Sequence, residues 1–230
     1  MTGPHDRQPL VAAGAPLAEA PAAVVLVHGR GDSARGILGL TAELPDTLAY
    51  LAPQAAGHAW YPQSFLAPLA ANEPGLGSGI AAVLRAVATA EAAGIDRAHV
   101  VLAGFSQGAC LAAETAARTG GRWGGVVVLS GGLLGTGPGP DDAPTLLGAG
   151  GRYADKAFDY DTSLAGTPVF VGCSDVDPHI PLARVERTAA VLAELGAEVD
   201  ARIYPGMGHT VNADELAAMR TLLTAVSQSA

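Results

Sequence analysis

Cysteine is scarce in this 230-residue chain, and so is positive charge. Cys110 and Cys173 are its only cysteines, one in a helical pattern and one after a strand pattern, so a disulfide framework is not expected and each reads as a small buried apolar residue. The formal charge is −9, with no run of Lys or Arg, which leaves no electrostatic footprint for nucleic acid or an anionic membrane surface. Acidity of this size serves solubility. No stretch reaches the ~20 uninterrupted apolar residues of a membrane span. The N-terminal apolar residues are broken by Gly14, Pro16, Glu19 and Pro21, so no secretory signal core is expected and the cytoplasm is the expected location. No repeat of solenoid length occurs.

What is present is 49% hydrophobic and 15% charged, an ordered globular composition. A chain of this length buries roughly 70% of its unfolded surface in one domain. Residues 1–21 read as an N-terminal segment, with 9–20 compatible with a small edge hairpin around Gly-Ala-Pro. Residues 22–230 read as a single α/β domain.

Strand patterns fall at 22–27, 47–52, 98–103, 126–130, 168–172 and 198–204. Helix patterns fall at 33–44, 79–93, 109–118 and 182–195, with a last helix opened by a capping box at Asn212-Ala213-Asp214-Glu215. Such alternation predicts a mostly parallel central sheet with helices on both faces and right-handed crossovers. Residues 54–74 form a long Pro-punctuated segment, and loops of that length inside a domain are usually functional. Residues 131–166 read as a surface excursion, with a helix expected only near 153–158.

Gly104-Phe105-Ser106-Gln107-Gly108 lies between a strand and a helix, the setting of a nucleophile elbow. A serine hydroxyl needs a base to take its proton, and that base needs an anion to hold its tautomer. Ser106, then Asp175 or Asp177, then His209 follow in the α/β-hydrolase order, each on a loop after a strand, where such sheets bind ligands. The two aspartates share one turn, and spacing alone does not separate them; Asp141, Asp142, Asp159 and Asp161 are also available. Among the other histidines, His5 is expected to be disordered, His99 begins a strand, His58 lies in the irregular segment and His28 suits a backbone-positioning role. The amides of Gln107 and Arg30 stand where this fold forms its oxyanion hole. The Arg30 side chain is expected to be solvated.

Together with His28-Gly29-Arg30-Gly31-Asp32, Asp177-Pro178-His179-Ile180-Pro181 and Gly206-Met207-Gly208-His209, the elbow resembles the phospholipase/carboxylesterase family of α/β-hydrolases, from about residue 22 to 225. The resemblance implies the α/β-hydrolase fold and a serine esterase with no cofactor and no metal. It assigns the acid to Asp177, the residue directly before Pro, with Ser106 as nucleophile and His209 as base. Arg30 replaces the Leu of the eukaryotic thioesterases, and His179 stands where an apolar residue is usual, so acyl-protein substrates do not transfer.

The expected function is carboxylic-ester hydrolysis through an acyl-enzyme on short to medium acyl esters, with a thioesterase or lysophospholipase as the alternative. A non-catalytic hydrolase-fold binding protein is the rival from another class, and the presence of every triad residue type argues against it. The expected partner is a small-molecule ester; a homodimer is left open. Trp60, Phe65, Leu66 and Leu69 from residues 54–76, with Leu133 and its neighbour Leu134, are expected to line the acyl pocket, stiffened by Pro62 and Pro68.

Overall fold

Alternate residues of the central strands go to opposite cores, which is why their sequences read as unbroken apolar runs. In the computed structural model, which describes residues 3–148 and 151–229, strands β2 (Ala23–Val27), β3 (Ala49–Pro53) and β5 (Gly125–Leu129) are buried at every position. They join β1 (Leu10–Gly14), β4 (Val100–Phe105), β10 (Pro168–Ser174) and β11 (Glu198–Tyr204) in a seven-stranded sheet of order β1-β3-β2-β4-β5-β10-β11. Every pairing is parallel except β1 with β3.

Val25, Val27, Leu102 and Val128 face a core closed by α2 (Gly75–Ala92), α3 (Gln107–Thr119) and α4 (Leu182–Glu194). Val24, Leu26, Val101 and Val127 face the opposite core, closed by α1 (Ala34–Ile37) and α5 (Ala213–Gln228). Helices therefore cover both faces of the sheet. A Leu102→Ala truncation in so closely filled an interior costs roughly 2–5 kcal/mol. Among the described residues no helix is long and apolar enough to cross a membrane.

Several local expectations change. Residues 10–14 form one edge strand antiparallel to β3, not a hairpin closed on itself. The helix at 33–44 is only α1, followed by a 3₁₀ turn over Leu38–Glu43. Helix α2 starts earlier than its apolar spacing suggests; a side chain at Gly75 would crowd the Trp60 carbonyl, so glycine lets the helix end approach that loop. The helix expected near 153–158 is replaced by short ladders. There β7 (Thr145–Gly148) pairs with β8 (Gly151–Ala154), and β6 (Gly137–Pro138) pairs with β9 (Lys156–Ala157). These cross-strand hydrogen bonds satisfy backbone groups that the weak helical periodicity could not.

His5 is also ordered: it is buried, accepts from the Ala56 amide at 3.0 Å and lies 2.9 Å from the Trp60 carbonyl. Its own amide donates to the Ser78 hydroxyl, tying the N-terminus to α2. Asn212 and Glu215 form the reciprocal capping box that opens α5. Cys110 and Cys173 are buried free thiols.

Candidate active site

The corner between β4 and α3 holds Ser106 at φ 55°, ψ −122°, a conformation open to a non-glycine residue only where its surroundings enforce it. The enforcement comes from both flanks. A side chain on Gly108 would overlap the Val27 and His28 carbonyls, and one on Gly104 would meet the Gly108 backbone. The two glycines let strand, helix and the β2 loop close around the serine.

His209, on the loop after β11, places Nε2 2.8 Å from Ser106 Oγ, so the hydroxyl can donate to the ring. Its Nδ1 donates to Asp177 Oδ2 at 2.7 Å. The other carboxylate oxygen of Asp177 accepts the His179 amide at 2.8 Å and the Ile180 amide at 3.0 Å, in the turn that Pro178 begins. Burial by itself would raise the Asp177 carboxyl, but the His209 hydrogen bond, these amides and the neighbouring imidazole hold it below its ordinary value. Asp175 does something different: its Oδ1 accepts the Gly206 amide at 2.8 Å and so anchors the loop that carries His209. The His209 ring is flanked by Phe105, with centroids 4.9 Å apart, and edge-on by His179 at 4.8 Å.

The β2 loop lies against the serine, since a side chain on Gly29 would stand 3.5 Å from Ser106 Cβ. Among the described residues, the Arg30 and Gln107 amides donate to no acceptor. His28 is buried beneath them; its Nδ1 bonds the Gly29 carbonyl at 2.8 Å and its Nε2 accepts the Ala55 amide at 3.1 Å. Burial lowers the His28 pKa, in keeping with a neutral ring that braces this loop. Arg30 is exposed, as expected, and its guanidinium also donates to the Tyr61, Pro62 and Gln63 carbonyls.

Ser106 opens into a cavity of about 650 Å³. Of the expected wall residues, only Phe65 borders it. Trp60 is fully buried, its indole donating to the His28 carbonyl at 2.8 Å and its ring set against His5 and His28. Leu66, Leu133 and Leu134 are likewise core residues, and Leu69 packs against that core half-buried. Apolar character sent these side chains inward, and the loop backbone turned outward. Tyr61, Phe105, Tyr153, His179 and Ile180 are among its other wall residues, with residues 62–64 beside them. Tyr153 arrives from the excursion because the β7–β8 ladder folds back toward Leu66 and the His179 carbonyl. No periodicity in the sequence marks it.

The arrangement sets an imidazole against a serine hydroxyl beside two amides that meet no acceptor among the described residues, groups that can serve acyl transfer. The comparisons agree with that chemistry. The sequence profile described as Phospholipase/Carboxylesterase matches residues 11–138. Acyl-protein thioesterase 1 of Gibberella zeae is 31% identical over 123 residues, covering 54% of this chain and 46% of that protein. The matched region spans about half the length of the curated relatives. The crystal structure of a phospholipase/carboxylesterase from Dyadobacter fermentans DSM 18053 is 36% identical, covers 97% of this chain and 98% of its own, and has a TM-score of 0.83. Esterase PE8, 24% identical with a TM-score of 0.68 over 95% of this chain and 98% of its own, shares the fold. With the profile matching more than half its length and one related structure aligned nearly end to end, the chain belongs to the phospholipase/carboxylesterase family of α/β-hydrolases.

Proposed function

We propose that this protein hydrolyses carboxylic esters of short to medium acyl chains through an acyl-enzyme on Ser106. The observation that carries this reading is the unbroken hydrogen-bonded chain from Ser106 Oγ through His209 to Asp177, at 2.8 and 2.7 Å, at the wall of the cavity.

In the first half-reaction Ser106 Oγ attacks the ester carbonyl while its proton passes to His209 Nε2. Asp177 holds the opposite side of the ring, which favours the tautomer that can accept and stabilises the imidazolium that results. The carbonyl oxygen, now negative, is received by the amides of Arg30 and Gln107, which among the described residues donate to no other acceptor. The carbon–oxygen bond then breaks, and His209 returns its proton to the departing alkoxide. Water repeats the sequence on the acyl-serine, giving the acid and the free serine.

A thioester would pass through the same steps with a thiolate leaving group, and this second reading is supported by the similarity to relatives named acyl-protein thioesterase. Kinetics on p-nitrophenyl esters from acetate to palmitate, beside an acyl-thioester series, test both. Turnover that peaks at short or medium esters is the expected result; no turnover of any ester would overturn the proposal.

A further inference from the structure

Backbone carbonyls in a loop ordinarily face water. In residues 61–65 each of them instead accepts a hydrogen bond from a side chain outside that stretch. Tyr61 O accepts from Gln107 Nε2 at 2.8 Å and from Arg30 Nη2 at 2.8 Å. Pro62 O accepts from Arg30 Nη1 at 3.1 Å, and Gln63 O from Arg30 Nη2 at 2.8 Å. Ser64 O accepts from Asn72 Nδ2 at 2.9 Å, while Asn72 Oδ1 accepts the Gln63 amide at 2.8 Å. Phe65 O accepts from Lys156 Nζ at 2.7 Å.

We propose that Arg30, Asn72, Gln107 and Lys156 are positioning residues that fix the 61–65 backbone as a rigid wall of the acyl cavity, and that this wall sets the longest acyl chain accepted.

The four anchors come from separate parts of the chain: the β2 loop, the 3₁₀ turn before α2, the start of α3 and the excursion. Asn72 and Lys156 are buried, so their polar groups would be costly to retain without these bonds. Among the described residues the Lys156 ammonium has no acceptor other than Phe65 O. Burial and the neighbouring Arg184 draw its pKa down to about 8, against the opposing pull of the Glu114 and Asp155 carboxylates. Arg184 adds a second restraint, its guanidinium lying 5.4 Å from the centre of the Phe65 ring. Phe65 and Tyr61 border the cavity, so a shift of this backbone moves the wall itself. A wall held by cross-chain bonds cannot slide aside as a lid would, so the upper limit on acyl length is built in before substrate arrives.

This inference rests on the esterase reading, and the test separates the two. Amide hydrogen exchange on the unaltered protein comes first and requires no activity. The Gln63 amide, which donates to Asn72 Oδ1, and the Ala67 amide, which donates to the Ser64 carbonyl, are expected to exchange at least about tenfold more slowly than unbonded loop amides; exchange at the open-loop rate would overturn the proposal. Lys156→Met, which keeps bulk and removes the donor, is then compared with the parent on acetyl and decanoyl p-nitrophenyl esters. The decanoyl-to-acetyl ratio of kcat/KM is expected to rise about fivefold or more, carried by KM, with faster exchange at Gln63 and Ala67. An unchanged ratio in the folded variant would overturn the proposal. Should Lys156→Met fail to fold, Asn72→Ser carries the same comparison, and the exchange result on the parent stands by itself. Failure of the parent to hydrolyse either ester would instead count against the esterase reading.

Discussion

His209 Nε2 stands 2.8 Å from Ser106 Oγ, although 103 residues separate them in sequence. Two groups this close act as one device for moving a proton. Ser106→Ala and His209→Ala are each expected to lower kcat by about 10⁴-fold or more, and the double variant should be little worse than either alone. Additive losses in a double-mutant cycle would show that the two residues work independently.

Asp177 and Asp175 occupy one turn and make different contacts, so their asparagine variants should diverge. Asp177→Asn presents the wrong group to His209 Nδ1 and is expected to cost roughly 10³ to 10⁴ in kcat. Asp175→Asn keeps a carbonyl for the Gly206 amide and should stay within about tenfold of the parent. Steady-state kinetics on a single ester ranks them; the opposite order would remove Asp177 from its proposed role.

The pocket walls make a similar discrimination possible. Phe65→Ala enlarges the cavity directly and is expected to move the chain-length optimum upward, by roughly 1 to 3 kcal/mol of discrimination against the parental optimum. Leu69→Ala, which removes a contact with the core, should lower stability while leaving the profile where it is. A p-nitrophenyl ester series with parallel melting curves distinguishes the two effects.

Glu215 supplies a pH-dependent term in stability. Burial raises its carboxyl from the ordinary 4.5 to about 6, against the opposing hydrogen bond from the Asn212 amide. Between those values the folded chain binds a proton that the unfolded chain has released. The contribution is therefore fully present below about 4.5 and is lost as pH rises through 6, a change of up to about 2 kcal/mol. Glu215→Gln has no such proton, so the difference in urea-unfolding free energy between parent and variant should shrink in the parent's disfavour from pH 4.5 to 7. Parallel curves would contradict this assignment.

The parts of the fold that the sequence displays are those where one local rule decides. Apolar runs buried on both faces mark the parallel strands, and Gly104 and Gly108 mark the corner at which backbone meets backbone. Ser106 and His209 are visible because their chemistry requires polar groups on loops at one sheet edge, whereas Asp177 is set apart from Asp175 only by the family resemblance. The walls of the cavity obey no local rule. Trp60 and Leu66 were drawn into the core by the same apolar character that suggested a pocket, and Tyr153 reached the site through a ladder between two four-residue strands. His5, in a polar stretch near the terminus, is held by partners more than fifty residues away, Ala56 and Trp60 among them. Such placements depend on hydrogen bonds across the chain, which residue order does not reveal.

If Ser106 carries the acyl group, a fluorophosphonate should add mass to the intact protein. One adduct per chain is expected, located on the peptide containing Ser106, formed more slowly in the presence of excess ester substrate and absent from Ser106→Ala. An unlabelled parent protein, or an adduct that persists in the alanine variant, would contradict it.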